Sequence, residues 1–237
     1  MPGYVISERD VEVSELADDT VRVRFMIGRG QGCRRLEQRI ARFSPGTSKP
    51  QEVGDVQAVL FVVSGKGRLH VDETVEELEP RTGVYVAAGE AFRVENPGPD
   101  DLVVVLVTAP QERSIAPGEG RTVRWADRPS LPASPNREFR YLVDADVGCR
   151  DMTQFVGVIP PGRAGMHSHT YDEVIYVITG EGVLDLNGER TPIAAGSCIH
   201  LPPLVEHCLE NTGSAPMHVL GVFHPAGDPA SRAYEEA

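Results

Sequence analysis

Apolar and polar residues alternate one for one along much of this chain. Val11-Glu12-Val13 and Val21-Arg22-Val23-Arg24-Phe25 put apolar side chains on one face and polar ones on the other, the period of a half-buried strand. Elsewhere the alternation gives way to apolar runs, Val56-Gln57-Ala58-Val59-Leu60-Phe61-Val62-Val63 and Val174-Ile175-Tyr176-Val177-Ile178, which also read as strands. Turns are marked by Gly28, Gly30 and Gly32, by Pro45-Gly46, by Ser64-Gly65-Lys66-Gly67 and by Asn187-Gly188. No 3.6-residue period is found before the last few residues, so the pattern predicts an all-β protein.

The pattern also repeats. Phe61-Val62-Val63-Ser64-Gly65-Lys66-Gly67 aligns with Tyr176-Val177-Ile178-Thr179-Gly180-Glu181-Gly182, and Glu95-Asn96-Pro97-Gly98 with Glu210-Asn211-Thr212-Gly213, both at a spacing of 115 residues. Evenly spaced short strands in two copies predict two tandem jelly-roll β-barrels. The barrels are expected over residues 1–110 and 137–237. Between them, residues 111–136 carry Pro117, Gly118, Gly120, Pro129, Pro132 and Pro135 and read as a linker or strap. Trp125, the only tryptophan, is expected to pack that strap onto a barrel.

With 237 residues, 41% of them hydrophobic and 24% charged, there is room for two domains of about a hundred residues each. The formal net charge of −12 and a sequence pI of about 5.0 argue against a nucleic-acid or anionic-membrane partner. No apolar run approaches the roughly 20 residues that cross a bilayer. The start Met1-Pro2-Gly3-Tyr4 lacks the basic and apolar regions of a signal peptide, so a cytoplasmic location is expected. Cys33, Cys149, Cys198 and Cys208 form no Cys-x-x-Cys pair and are expected to stay reduced. Lysine occurs only at Lys49 and Lys66, which leaves no Schiff-base lysine for the second copy.

Candidate chemistry gathers in that second copy. His167 and His169 are two apart, so on an extended strand they project to the same side and can share one ion. Glu173 follows after a gap long enough for a turn and opens an apolar run, and His207 comes after a turn bearing Pro202. Three imidazoles and one carboxylate suit a first-row divalent metal. On an octahedral ion they leave two positions for water, oxygen or substrate.

These residues resemble the cupin motifs. The first motif, a glycine followed by a His-x-His pair, a glutamate and a closing glycine, is matched by His167, His169, Glu173 and Gly180, with Pro161 in place of the leading glycine and Gly162 beside it. The second is matched by Gly196, Pro202, His207 and Asn211, with Leu204 replacing its middle glycine. Both departures bear on turn geometry rather than on a ligand. The resemblance implies two cupin barrels and a homodimer. It also implies one divalent transition metal per chain, with manganese, iron or nickel foremost and zinc, cobalt or copper as alternatives. In the first copy Glu52, Gly54, Ala58 and Phe92 stand where the second has His167, His169, Glu173 and His207, so that barrel is expected to be metal-free. Retention of Gly46, Gly65, Gly89 and Asn96 predicts that its fold survives.

Other residues are weaker candidates. His200 shares a face with Cys198, which side being undecided by sequence; His70 and His218 read as structural or exposed, and His224, before Pro225, as part of a loop. Arg140, Arg150 and Arg163 are candidate anchors for an anionic substrate, and Tyr141, Phe155 and Tyr176 candidate cavity walls. Asp172 and Glu206, each adjacent to a ligand, are expected at the exposed rim.

The function expected is that of a metal-dependent enzyme acting on a small oxygenated organic substrate, by dioxygenase or other oxidoreductase chemistry in the second barrel. Glu173 is the candidate catalytic residue, as ligand and proton acceptor in turn. The alternatives are a non-oxidative isomerase or hydrolase of a sugar or ureido compound, and a non-catalytic module that binds a small metabolite.

Overall fold

The computed structural model describes residues 3–113 and 120–231; Pro117 and Gly118 of the strap and the helical period at the C-terminus lie outside these residues. Within them, strands are joined by turns and by single-turn 3₁₀ segments. They form two barrels, each made of a large antiparallel sheet facing a small one.

The first barrel's large sheet runs, in spatial order, Thr122–Arg124, Thr82–Val86, Val56–Ser64, Leu102–Pro110, Glu37–Phe43, Val21–Ile27 and Ser14–Glu15. Its small sheet holds Gly46–Thr47, Ala91–Asn96, Gly67–Val71 and Thr74–Leu78, with Gln51–Glu52 paired to Ala91–Asn96. The second barrel's large sheet runs Tyr4–Ser7, Ser197–Leu201, Asp172–Thr179, Met217–His224, Thr153–Ile159, Arg137–Val143 and Leu131–Ser134. Its small sheet runs Gly162–Arg163, His207–Asn211, Glu181–Leu186 and Glu189–Ala194.

One edge strand of each large sheet comes from chain outside that sheet's own repeat. Tyr4–Ser7, at the start of the chain, pairs with the second barrel, Tyr4 opposite His200 and Ser7 opposite Ser197. Thr122–Arg124, from the strap, pairs with the first, Thr122 opposite Val84 and Arg124 opposite Thr82. Each exchange satisfies a row of backbone donors and acceptors that a bare sheet edge would leave open.

The two large sheets pack face to face, which explains the runs that did not alternate. Ala58, Leu60 and Val62 point into the first barrel, while Val59 and Phe61 of the same strand join the core between the barrels. Ile175 and Val177 likewise fill the second barrel, while Val174 and Tyr176 face the first across that interface. A strand buried on both faces has no polar side to show. Trp125 bridges the barrels, with the Arg81 guanidinium 4.8 Å from one ring face and that of Arg140 at 4.2 Å.

A matching strut closes both small sheets. Asn96 donates to the carbonyls of Phe43 (2.7 Å) and Asp100 (2.8 Å) and accepts from the Gly98 amide (2.8 Å). Asn211 donates to Ile159 (2.8 Å) and Ala215 (2.9 Å) and accepts from Gly213 (2.9 Å). Among the described residues, no helix is long and apolar enough to cross a membrane.

Candidate metal centre

His167 and His207 are locked together by backbone before their side chains meet. Each amide donates to the other's carbonyl, at 3.0 and 2.8 Å, an isolated antiparallel bridge at the mouth of the second barrel. The two imidazole centroids are 4.5 Å apart, and that of His169 lies 5.0 Å from the first and 5.2 Å from the second. One nitrogen from each ring lies within 4.8 Å of the other two.

The far side of each ring is held by the chain. Nδ1 of His167 is 3.2 Å from the carbonyl of Gly165, that of His169 2.9 Å from Ser231, and that of His207 2.9 Å from Val205. A carbonyl only accepts, so Nδ1 is the proton-bearing nitrogen in each of these contacts and Nε2 is the ring atom that suits a metal. The hydroxyl of Tyr171 donates to the Asp228 carbonyl and lies 3.1 Å from His169 Nδ1, its ring stacked on the imidazole at 4.9 Å. Leu204 amide donates to the His169 carbonyl, and to do so Leu204 adopts φ = 63°. The leucine thus takes the left-handed conformation that the missing motif glycine would adopt freely, at a strain of about 1–2 kcal/mol.

Glu173 approaches from the side of His169, Oε2 to Nε2 at 3.9 Å. Its carboxyl is buried and, among the described residues, Oε2 has no hydrogen-bond partner; desolvation pushes its pKa up to about 8. Burial, reinforced by the neighbouring His167, pushes His207 down to about 3. A buried carboxyl without a hydrogen-bond donor among the described residues, beside three imidazoles, is a donor set that a divalent cation completes. The residues present therefore fit the metal that the motifs imply.

These four side chains lie at one wall of a small cavity of about 90 Å³, whose other walls are mostly apolar, Phe139, Phe155, Leu209 and Phe223 among them, with Ser134, Arg137 and Glu138 also lining it. Gly221 makes room for one wall: a Cβ there would come within 2.3 Å of the Phe155 ring. Arg137 stands at the same cavity, its guanidinium donating to the Leu209 carbonyl at 2.5 Å.

Of the arginines expected near the site, none lines this cavity. Arg140 stacks on Trp125, Arg150 lines a separate cleft, and Arg163 pairs with Asp185 at 2.5 Å on the outer face of the small sheet. Arg137 was missed by sequence reasoning; the available signal was its two-residue offset from Phe139, which gives both the same face of one strand. Phe155 does line the cavity, whereas Tyr141 packs behind the aromatic cluster and Tyr176 faces the first barrel. Glu206 is exposed, but Asp172 is half-buried and held by His200 at 3.1 Å, on the sheet face turned away from the cavity. In the first barrel, Ala58 and Phe92 lie in the packed interior while Glu52 and Gly54 are exposed.

The family model described as the cupin domain matches residues 39–108 and again 155–223, more than half of the chain. An oxalate-binding protein of Thermotoga maritima is 38% identical over 67 residues, covering 27% of this chain and 55% of that protein. An uncharacterized protein of Methanocaldococcus jannaschii, MJ1618, is 31% identical over 70 residues, covering 29% and 56%. The matches thus span about half the length of these curated relatives. Among solved structures, the protein Ylba from E. coli superposes with a TM-score of 0.80 at 11% identity, over 94% of this chain and 90% of that one. A putative glyoxylate-induced protein from Pseudomonas aeruginosa gives 0.79 at 21% identity, over 93% and 88%. A Bacillus subtilis oxalate decarboxylase variant gives 0.78 at 14% identity, over 98% and 79%. At these identities the structural likeness is one of fold.

Proposed function

Because the chain belongs to the cupin family, we propose that its second barrel is a metal-dependent enzyme site for a small, oxygenated, anionic organic molecule. In this reading His167, His169, Glu173 and His207 hold one divalent transition ion, with manganese, iron or nickel foremost. The observation that carries it is the buried Glu173 Oε2, without a hydrogen-bond partner among the described residues, next to three imidazoles whose Nδ1 atoms are tied to carbonyls.

When bound, such an ion supplies Lewis-acid activation of an oxygenated substrate, or dioxygenase and other oxidoreductase chemistry, through its open positions. Arg137 binds and orients an anionic end of the substrate, preferably a carboxylate, which matches its planar fork. The aromatic wall excludes water and strengthens charge interactions inside. Glu173 is the group placed to take up a proton at Oε2 and return it. The cavity of about 90 Å³ admits a molecule of few heavy atoms, well below a drug-sized pocket of roughly 300–1,000 Å³. A second reading, non-catalytic capture of a small metabolite, is supported by the Thermotoga relative, an oxalate-binding protein. Homodimeric assembly belongs to the same proposal and is read by light scattering.

Elemental analysis of protein purified without added ions, followed by an oxygen-uptake and product screen over small dicarboxylates, hydroxy acids and diketones, tests this reading. The double variant His167→Ala/His169→Ala is expected to lose one equivalent of metal, and Glu52→Ala to lose none. Metal content unchanged in the double variant rejects the site; stoichiometric binding of a small carboxylate without turnover selects the capture reading.

A further inference from the structure

The face of the second barrel that packs against the first carries its own set of ligand-type side chains. Cys33, just past the 3₁₀ turn Arg29–Gln31 of the first barrel, meets Asp172 and His200 of the second, and one atom from each lies within 4.8 Å of the other two. His200 Nε2 is 3.1 Å from Asp172 Oδ1. His224 is directly opposite Asp172 in the antiparallel pair of Asp172–Thr179 with Met217–His224, so the two side chains stand on one sheet face. His224 is only 3% exposed, and among the described residues neither of its ring nitrogens has a hydrogen-bond partner. A buried imidazole left unmet on both sides is costly and calls for an explanation.

The internal repeat supplies a reference for what this place in the fold otherwise holds. At the spacing of 115 residues, Asp172, His200 and His224 correspond to Gln57, Tyr85 and Ala109. Cys149 follows the turn Ala145–Val147 just as Cys33 follows Arg29–Gln31. In that second setting the groups satisfy one another. The Tyr85 hydroxyl donates to Gln57 Oε1 at 3.2 Å, the Cys149 thiol to the same oxygen at 3.5 Å, and Gln57 Nε2 to Asp151 at 3.1 Å. At the Cys33 setting an amide has become a carboxylate, a phenol an imidazole, and an alanine a second imidazole. Filling a polar gap between barrels does not require those changes, because the Cys149 setting fills it with hydrogen bonds alone.

We propose that Cys33, Asp172, His200 and His224 form a second metal site, for a tetrahedral divalent ion of the zinc type, that fastens the two barrels together. Zinc holds thiolate at about 2.3 Å, imidazole nitrogen at about 2.0–2.1 Å and carboxylate oxygen at about 2.0–2.2 Å. Cys33, Asp172 and His200 already bring one atom each within 4.8 Å of the other two, and His224, opposite Asp172 on the same sheet face, is the fourth donor within side-chain reach. The donor set has a thiolate, which the barrel site lacks and which favours zinc over harder ions. Four protein ligands leave no open position, and the Tyr4 ring lies edge-on over His200 at 5.7 Å, so the role is structural. The chain would then hold two ions, one more than its barrel motif implies.

Titration of the metal-free full-length protein with Co²⁺ tests this. The barrel site contains no sulfur, so a thiolate-to-cobalt charge-transfer band in the near ultraviolet reports Cys33. The expected result is two equivalents bound, one of them with the band. Cys33→Ser and His200→Gln each remove the band and one equivalent; His167→Ala/His169→Ala removes the other equivalent and keeps the band. In that double variant Zn²⁺ also raises the thermal midpoint, an effect that adding Cys33→Ser abolishes. If Cys33→Ser fails to fold, His200→Gln gives the same readout with every cysteine in place. Saturation at one equivalent without the band, or a band that survives Cys33→Ser, overturns the proposal. Because only this site has sulfur, either outcome leaves the barrel-site proposal untouched.

Discussion

Residues 92 and 207 occupy the same place in two copies of one barrel. In the first copy a phenyl ring packs there among Leu69, Val71 and Val94; in the second an imidazole turns toward His167 and His169. Residues 58 and 173 differ in the same way, a buried alanine against a buried carboxylate. Around these exchanges the frame is constant, down to the three hydrogen bonds of Asn96 and their counterparts at Asn211. The struts and the strand pattern therefore maintain the barrel, and its inward positions are open to either packing or chemistry. In the first copy packing took residues 58 and 92, while Glu52 and Gly54 stand exposed, and the barrel's large sheet covers its neighbour's apolar face.

The largest test of that division removes one side of it. Deleting residues 1–110 uncovers Val174, Tyr176, Cys198, Leu220 and Val222, and also strips the edge strand Tyr4–Ser7 from the second barrel. The expected outcome is insoluble or aggregating protein, as exposed apolar patches and bare strand edges promote. A soluble, monodisperse fragment of residues 111–237 that binds metal normally would show that the first barrel is dispensable.

A smaller effect separates the paired positions. Phe92→Ala should cost about 3–5 kcal/mol of stability, the usual range for a deleted core phenyl ring. His207→Ala in metal-free protein should cost less, about 1–3 kcal/mol, while abolishing metal retention in the barrel. Urea unfolding of both variants checks this. Equal costs would mean that the second barrel depends on its ligands for packing as much as the first depends on its apolar core.

The third effect is in pH. Glu173 in the metal-free fold is raised from 4.5 to about 8, so the folded state holds its proton more tightly than the unfolded chain. That contribution is fully present below about pH 4.5 and is lost as pH rises through about 8. His207 acts in the opposite sense: lowered from 6.5 to about 3, it favours the unfolded chain as pH falls below about 6.5. The first barrel, with Ala58 and Phe92, has neither group. In chelator-treated protein Glu173→Gln should flatten the fall in thermal midpoint between about pH 5 and 8; an unchanged slope would mean that Glu173 does not titrate in this range.

Much of the candidate site was legible because its geometry is local. Two histidines two residues apart share a strand face wherever the strand lies, and Glu173 and His207 follow at motif spacings. Asn96 and Asn211 announced the repeat in the same way. Arg137 was not legible, because being on the same face as Phe139 matters only once that face is known to line the cavity. Leu204 was read as a departure in a turn, and only its backbone angle shows that a leucine there adopts the glycine conformation.

By itself the sequence determined the all-β class, the duplication and the candidate ligand set in one copy, since each of these depends on short-range periodicity or on a fixed spacing. The tertiary structure alone decided which face of each strand is inner. In Val56–Ser64 and Asp172–Thr179 both faces are buried, one by the barrel's own small sheet and one by the other barrel, so hydrophobicity cannot separate them. It also decided that Tyr4–Ser7 closes a barrel whose remaining strands begin more than a hundred residues later, and that Cys33 lies beside Asp172 and His200. Contacts at such separations are set by how two sheets stack and exchange edges, and no local pattern records them.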